Sequence, residues 1–434
     1  MALRLGSYAA GLDARRCGPE TRDAVFRCVL DAIGSAAAGL GQAGVVAART
    51  VAPLLLGPGE VPVWFGGGTV SAGAAMLANS TAVAALDLDD GYRMARGHPG
   101  AAVIPAALAL ASGLPQVSVD DFVAAVVAGY EVGVRLAAAR TTYAPSGAWS
   151  GFAVVATAGR LLGAGPEVIA HALAIAAQTA PALPALAGIA GSDVKEGIPA
   201  GVVSGWSALR LAMAGFTGPL AVLEDIRLFD TEAVLRGLGG PALIGGTYFK
   251  PFGCCRHIHA PLEALLHLQS RHGLATGDIA SIEVFTYRAT FNLANKPNPA
   301  TLVEAQYSVP YCLALCLLHG ADALVPLRGE HLTDAEVRAW AGRITVTHSA
   351  AIEPLFPQRS PARVVVHLAG GQFLESPLMD PRGDPDRPMS WADLERKLRI
   401  ATRDTLSPAA RQAVLDGVVA LRVGEWGPFL AAVQ

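Results

Sequence analysis

Lysine is nearly missing from this chain: of its 33 basic residues only Lys195, Lys250, Lys296 and Lys397 are not arginine. Where arginine is the default cation, a lysine stands out for its compact ammonium and tunable pKa. Lys195 and Lys250 both lie near glycine or proline in apolar surroundings. Charge is also sparse, at 16% of residues and a net −3, with no basic block, which argues against a nucleic-acid face. The six cysteines have no regular spacing, so reduced thiols in a cytoplasm are expected rather than a disulfide framework. No run reaches the roughly 18 uninterrupted apolar residues of a membrane span. The best candidate, Val168 to Gly191, is broken by His171, Gln178, Pro181 and Pro184 and reads as buried helix and turn. "MALRLGSYAAGLDARR" lacks the apolar core of a signal peptide. A cytoplasmic protein with no membrane and no nucleic-acid partner is expected.

What the chain has instead is alanine-rich helical periodicity. Apolar residues recur at helical spacing over Thr21–Gly39, Ala72–Leu88, Ala101–Gly113, Val119–Ala139, Phe152–Leu162, Pro166–Ala177 and Ala200–Ala214. Near Tyr248 the texture changes. "IASIEVFTYRATF", "RITVTHS" and "ARVVVHLAGGQFLES" alternate β-branched and aromatic residues, the last with a Gly-Gly turn signal. Helices are expected between them at Cys254–His272 and Ser308–His319, and in "LTDAEVRAWAGR" with Thr333 as its cap. "SWADLERKLRIATRD" returns to helical period. The expected fold class is mainly α with an inserted α/β domain: a helical domain over 1–247, an α/β lid over 248–389, and a helical return over 390–434.

Charge concentrates in islands. "LDLDDGYRMARGHPG" sets Asp87, Asp89 and Asp90 after an apolar helix, where the helix dipole disfavours anions. A solvated helix end is the plain explanation. A magnesium–diphosphate site is disfavoured because no second acidic motif appears and aromatics make up only 6%. A third possibility pairs Asp87 with His98 at the start of the next helix, the carboxylate orienting the imidazole or serving as base itself. The other islands are "GSDVKEGIPAG", "YFKPFGCCRHIHA" and "EAQYSVPY". Cys255 and His259 stand one helical turn apart, too few ligands for a metal site, and Cys312 and Cys316 fit buried core thiols. No metal is expected.

These islands, in this order, resemble the MmgE/PrpD family, which includes 2-methylcitrate dehydratase, cis-aconitate decarboxylase and iminodisuccinate epimerase. The matching strings are "LDLDDGYRMARGHPGAAVIPAALALA", "ATAGRLLGAG", "KEGIPAGVVSGWSALRLAMAGFTGP", "YFKPFGCCRHIHAPLEAL", "AQYSVPYCLALCLLHG" and "DPRGDPDRPMSWADLERKLR", spread over nearly the whole chain. The resemblance implies a helical domain interrupted by a lid, a homodimer, and chemistry without metal or organic cofactor. It implies catalytic positions at Asp87, His98, Lys195, Lys250 and Tyr311, converging on one pocket. Asp90, Gly91, Tyr143, Cys255, Arg256, His257 and His259 are the expected substrate contacts. Three departures stand out: Gly91 where the family often has threonine, "TTYAPSGAWSG" without the decarboxylase's histidine, and Cys255 in place of another histidine.

The implied chemistry is a cofactor-free lyase moving a proton beside a carboxylate of a small polycarboxylic acid. His98 is the expected base, oriented by Asp87; Lys195, Lys250 and Arg256 hold the charge, with Arg256 forking onto a carboxylate; Tyr311 is a proton donor. The alternatives are an isomerase or epimerase on a related di- or tricarboxylate, and a non-catalytic dimeric scaffold. Because the three departures fall where the family handles acids, the expected substrate is not simply 2-methylcitrate or cis-aconitate.

Overall fold

The computed structural model describes residues 1–114, 117–181 and 192–434. Part of the long apolar run, 182–191, including the first glycine of "GSDVKEGIPAG", lies outside the described residues. Among the described residues no single helix is long and apolar enough to cross a membrane.

The first half is helical: α1 (Ala2–Gly11), α2 (Pro19–Gly39), α3 (Ala43–Leu56), α4 (Ala72–Ala84), α5 (Gly100–Gly113), α6 (Val119–Ala138), α7 (Gly147–Leu161), α8 (Pro166–Thr179), α9 (Ile198–Met213) and the short α10 (Thr231–Leu235). Local chemistry sets their starts. The Ser71 hydroxyl accepts from Ala74 N at the head of α4, and Ser118 accepts from Asp121 N at the head of α6, at 3.2 and 3.0 Å. Alanine and glycine on the packed faces let α4, α5, α7 and α9 approach closely around one apolar core. A small ribbon, β1 (Val61–Pro62) with β2 (Thr69–Val70), edges this layer.

Two further short strands matter more. β3 (Gly91–Tyr92) pairs antiparallel with β4 (Thr247–Tyr248), Gly91 opposite Tyr248. This ribbon brings the aspartate loop against the segment where the second half begins. A Cβ on Gly91 would sit 2.3 Å from the Tyr248 ring, so any other residue here would force that ring aside.

The second half packs α11 (Arg256–His272), α12 (Leu302–Gln306), α13 (Val309–His319) and α14 (Ala335–Ala341) with a mixed sheet of β5 (Ile279–Thr286), β6 (Ile344–His348), β7 (Arg363–Leu368) and β8 (Phe373–Glu375). The spatial order is β6-β5-β7-β8, with β5 parallel to β6 and antiparallel to β7. Gly371, at φ +84°, turns the expected β7–β8 hairpin. These elements enclose a second core. The chain then returns to the first core through α15 (Trp391–Ala401), α16 (Pro408–Arg422) and α17 (Trp426–Val433), with α15 packed on α2. The mainly helical fold with a mixed-sheet second part agrees with the sequence.

Two expectations need correction. The helix expected to reach Leu88 ends at Ala84, because the chain turns out of helical geometry to place Asp87 at φ +53°. The cap of α14 is Asp334, whose Oδ1 accepts from both Glu336 N and Val337 N, and not Thr333, whose hydroxyl donates to Glu330 O.

Candidate active site

A cavity of about 500 Å³ opens where the two halves meet. The aspartate loop contributes Asp87, Arg93, Arg96, Gly97 and His98; the segment before α7 contributes Tyr143, and the turn before α9 contributes Glu196. The second half closes it with Tyr248, Cys255, Arg256, His257, Tyr307 and Phe356, among others.

Asp87 is the electrostatic centre. Its Oδ1 lies 3.2 Å from Lys195 Nζ and its Oδ2 lies 2.7 Å from Lys250 Nζ. Burial alone would raise the Asp87 carboxyl, but the two ammonium groups outweigh it and hold it well below the usual carboxylate range. Burial likewise opposes the Lys250 ammonium, which Asp87 and Asp89 keep firmly charged. Lys195 Nζ also donates to Gln306 Oε1 at 2.9 Å. Both Asp87 and Lys195 adopt left-handed backbone, φ +53° and +50°, a conformation L side chains disfavour. Neither lysine lines the cavity: Lys250 is fully buried, and Lys195 lines a second one of about 250 Å³. Of the five positions expected to converge on one pocket, Asp87 and His98 line the cavity, with both lysines held against Asp87 from behind.

His98 faces the cavity with a defined tautomer. Its Nδ1 lies 2.7 Å from the carbonyl oxygen of Asp90, which only accepts, so Nδ1 carries the proton and the Nε2 lone pair is free. The ring is therefore oriented by main chain. Asp87, expected to orient it, has Oδ1 3.9 Å from Nε2, beyond hydrogen-bond reach. Burial pushes the His98 pKa down and Lys250 repels its proton; Asp89, Glu196 and Asp87 outweigh both, and the pKa is raised. Asp89 Oδ2 lies 3.4 Å from Nδ1 and Glu196 Oε1 lies 3.8 Å from Nε2. Ser146 ties these groups together: its Oγ accepts from His98 N at 3.0 Å and donates to Glu196 Oε2.

The remaining expected residues divide. Tyr143, Cys255, Arg256 and His257 line the cavity; Asp90, Gly91, His259 and Tyr311 do not. Asp90 is turned inward, accepting from Gly100 N at 2.9 Å and from Tyr130 Oη at 2.5 Å; burial, then Asp31, raise its pKa to about 7. Gly91 serves the close passage of Tyr248. His259 turns into the core, Nε2 on Cys254 O at 3.1 Å, so Cys255 and His259 share no ligand position. Tyr311 is buried in the second core and its hydroxyl has no hydrogen-bond partner there. The tyrosine that reaches the site is Tyr307, whose Oη donates to Asp87 Oδ1 at 3.5 Å. The resemblance implies Tyr311 at the site, but α13 carries that side chain into the second core.

Arg256 also departs from expectation. Its Nη2 donates to Asp384 Oδ1 at 2.8 Å and its Nη1 to Arg382 O at 3.0 Å, so the fork is already taken. Arg93 pairs with the other oxygen of Asp384. His257, lowered to about 4 by burial, is neutral at pH 7, and burial keeps the Cys255 thiol protonated. Sequence reasoning missed Arg93, Arg96, Glu196, Tyr248 and Tyr307 as cavity residues. Gln306–Tyr307, a polar pair just before the Ser308 cap of α13, carried a usable signal. Among the described residues, one group of three ligand-type side chains lies close enough to share an ion: His319, His331 and Asp334, none of them in the cavity.

Comparison with known proteins follows the same two halves. The MmgE/PrpD N-terminal domain matches residues 3–234 and the MmgE/PrpD C-terminal domain matches residues 252–421. Two cis-aconitate decarboxylases are 26% identical: one of Aspergillus terreus (strain NIH 2624 / FGSC A1156) over 394 residues, covering 80% of this chain and 78% of its own, and one of Aspergillus terreus over 404 residues, covering 82% and 80%. The cis-aconitate decarboxylase-like protein oryM of Aspergillus oryzae (strain ATCC 42149 / RIB 40) is 24% identical over 384 residues, covering 80% and 79%. With one family domain spanning more than half of its length and a second covering most of the rest, this chain belongs to the MmgE/PrpD family.

Proposed function

We propose that the protein is a cofactor-free lyase acting by proton transfer beside a carboxylate of a small polycarboxylic acid. The observation that carries this is His98: a buried imidazole with Nδ1 fixed on a carbonyl, Nε2 free at a cavity, and an aspartate clamped by two lysines beside it. In a dehydration, Nε2 takes the proton from the carbon next to a carboxylate, and the electron pair left behind expels hydroxide, which takes a proton from Tyr307 as it leaves. In a decarboxylation, the carbon–carboxyl bond breaks, carbon dioxide leaves, and the carbanion takes a proton from protonated His98 or from Tyr307. In both, negative charge grows near Lys195, Arg93 and Arg256, and fixed cations shielded from water stabilise it most. The relatives named as cis-aconitate decarboxylases support the lyase class.

Neutral imidazole at Nε2 contributes as a base; a well-placed group of this kind supplies roughly 10²–10⁴-fold. No step requires a metal, since the chain's own ammonium and guanidinium groups supply the positive charge. The substrate differs in shape from 2-methylcitrate and cis-aconitate, a reading supported by Cys255 and Tyr143 at the cavity wall. A homodimer belongs to the same proposal; Leu54 and Leu55, 80% and 68% exposed on α3, leave apolar surface for it.

The test is purified, chelator-treated protein incubated in deuterated water with 2-methylcitrate, citrate, cis-aconitate and iminodisuccinate, followed by NMR. Solvent deuterium in an acid, or loss of water or carbon dioxide from it, is expected, and His98→Asn should abolish it. No exchange or turnover in the whole panel would overturn the proposal. Efficient turnover of 2-methylcitrate or cis-aconitate, at about 10⁴ M⁻¹s⁻¹ or more, would sink the part concerning substrate shape alone.

A further inference from the structure

The reaction as proposed leaves one charged side chain of the cavity wall without a task. The other ions there are answered within the protein. Asp87 has Lys195 and Lys250; Arg93 and Arg256 share the two oxygens of Asp384; Glu196 Oε2 accepts from both the backbone and the hydroxyl of Ser146. Arg96 lines the same cavity and is exposed to it. Among the described residues its guanidinium has no hydrogen bond and no ion pair, and it lies over the Tyr143 ring with CZ 4.8 Å from the centroid.

The backbone adds an independent observation. Arg96 sits at φ +51°, one of five described non-glycine residues at positive φ, and Asp87 and Lys195 of the same site are two of the others. A tight turn holds it, with Arg96 N donating to Arg93 O at 3.0 Å and Tyr92 N to Gly97 O at 2.8 Å. The conformation suits glycine and disfavours arginine. Among the described residues no hydrogen bond or ion pair of the arginine head repays that cost, and its one contact is the Tyr143 ring. Set over an aromatic face, a guanidinium keeps its in-plane N–H donors free, and those donors match a carboxylate bidentately.

We infer that Arg96, seated on Tyr143, is the receptor for a second carboxylate of the substrate, distinct from the carboxylate beside which His98 moves the proton. The inference rests on the polycarboxylate reading and deepens it: the carboxylate held at Arg96 contributes to binding rather than to the chemical step. Arg256, with its fork held by Asp384, is not that receptor.

Three variants of the full chain test this: Arg96→Gly, which suits the left-handed turn, Arg96→Gln and Arg96→Lys. Titration calorimetry with tricarballylate, an unreactive tricarboxylate, gives affinity; thermal unfolding gives stability; and kinetics on whichever acid of the panel is turned over separate KM from kcat. Arg96→Gly and Arg96→Gln should each weaken tricarballylate binding by about ten- to a hundredfold, as expected for loss of a charge-assisted pair. KM should rise in parallel with little change in kcat, and Arg96→Lys should fall between. The Arg96→Gly protein should melt no lower than the parent, which separates lost binding from lost folding. Unchanged affinity and KM in Arg96→Gly would overturn the inference while leaving the lyase reading intact. A parent protein that binds no tricarballylate and turns over no acid would overturn both.

Discussion

At the scale of single residues, His98 shows how neighbours set a reaction's pH window. Burial lowers its pKa, and Asp89 is the largest influence in the opposite direction. With the net shift upward, the neutral base is lost below a pH lying above the ordinary imidazole value of 6.5. Activity should therefore rise with pH through that raised pKa. Asp89→Asn removes the strongest raising influence, so the acid limb of kcat/KM should move to lower pH; a limb that stays put or moves up would refute His98 as the titrating base. The same sign governs stability. A pKa raised on folding contributes stability that is full below the unfolded value and is lost as pH rises through the folded one. That Asp87, Lys195 and Lys250 come together was legible at this scale through the motifs that resemble the family, with the scarcity of lysine pointing the same way. Tyr307 and Tyr311 were not separable, since both sit in "AQYSVPY" and only the Ser308 cap, by fixing where α13 starts, decides which ring meets Asp87.

At the scale of elements, the aspartate loop is held from two distant segments. The β3–β4 ribbon requires Gly91 beneath the Tyr248 ring. Gly91→Ala should cost about 1–3 kcal/mol in denaturant unfolding through overpacking, and the cost should shrink when Tyr248→Ala is combined with it. Additive losses would show that the two side chains do not compete for the same space. From the C-terminal return, Lys397 donates to Asp31 Oδ1 and to Leu88 O, both at 2.6 Å, so a third of the four lysines ends beside the loop. Lys397→Met strands a buried carboxylate, and a loss of about 3–5 kcal/mol is expected, with activity falling because Leu88 adjoins Asp87. Stability within about 0.5 kcal/mol of the parent would contradict this account. Periodicity revealed α15 as a helix. It could not show that Lys397 points at a carbonyl more than three hundred residues away, because such a contact depends on how helices stack.

At the scale of the whole molecule, the change of texture near Tyr248 was readable because strand and helix periods differ. The meeting of the two halves was not, since a cavity wall is a matter of long-range packing. That wall joins the two cores: Asp87, His98 and Arg96 are carried by the helical half, while Cys255, His257 and Tyr307 are carried by the other. A ligand bridging them binds only when both are folded and in register, so occupancy and global stability are linked. Citrate at about 100 times its Kd should stabilise the fold by about 2.7 kcal/mol, visible as a higher thermal midpoint in calorimetry. Screening is the competing cause, because added salt acts on the protein's charges whether or not an ion occupies the cavity. Sodium chloride at matched ionic strength separates the two: site occupancy predicts a shift with citrate well beyond the chloride shift, and one that saturates with concentration. Equal shifts in the two salts would mean that citrate acts as an electrolyte and not as an occupant of the cavity.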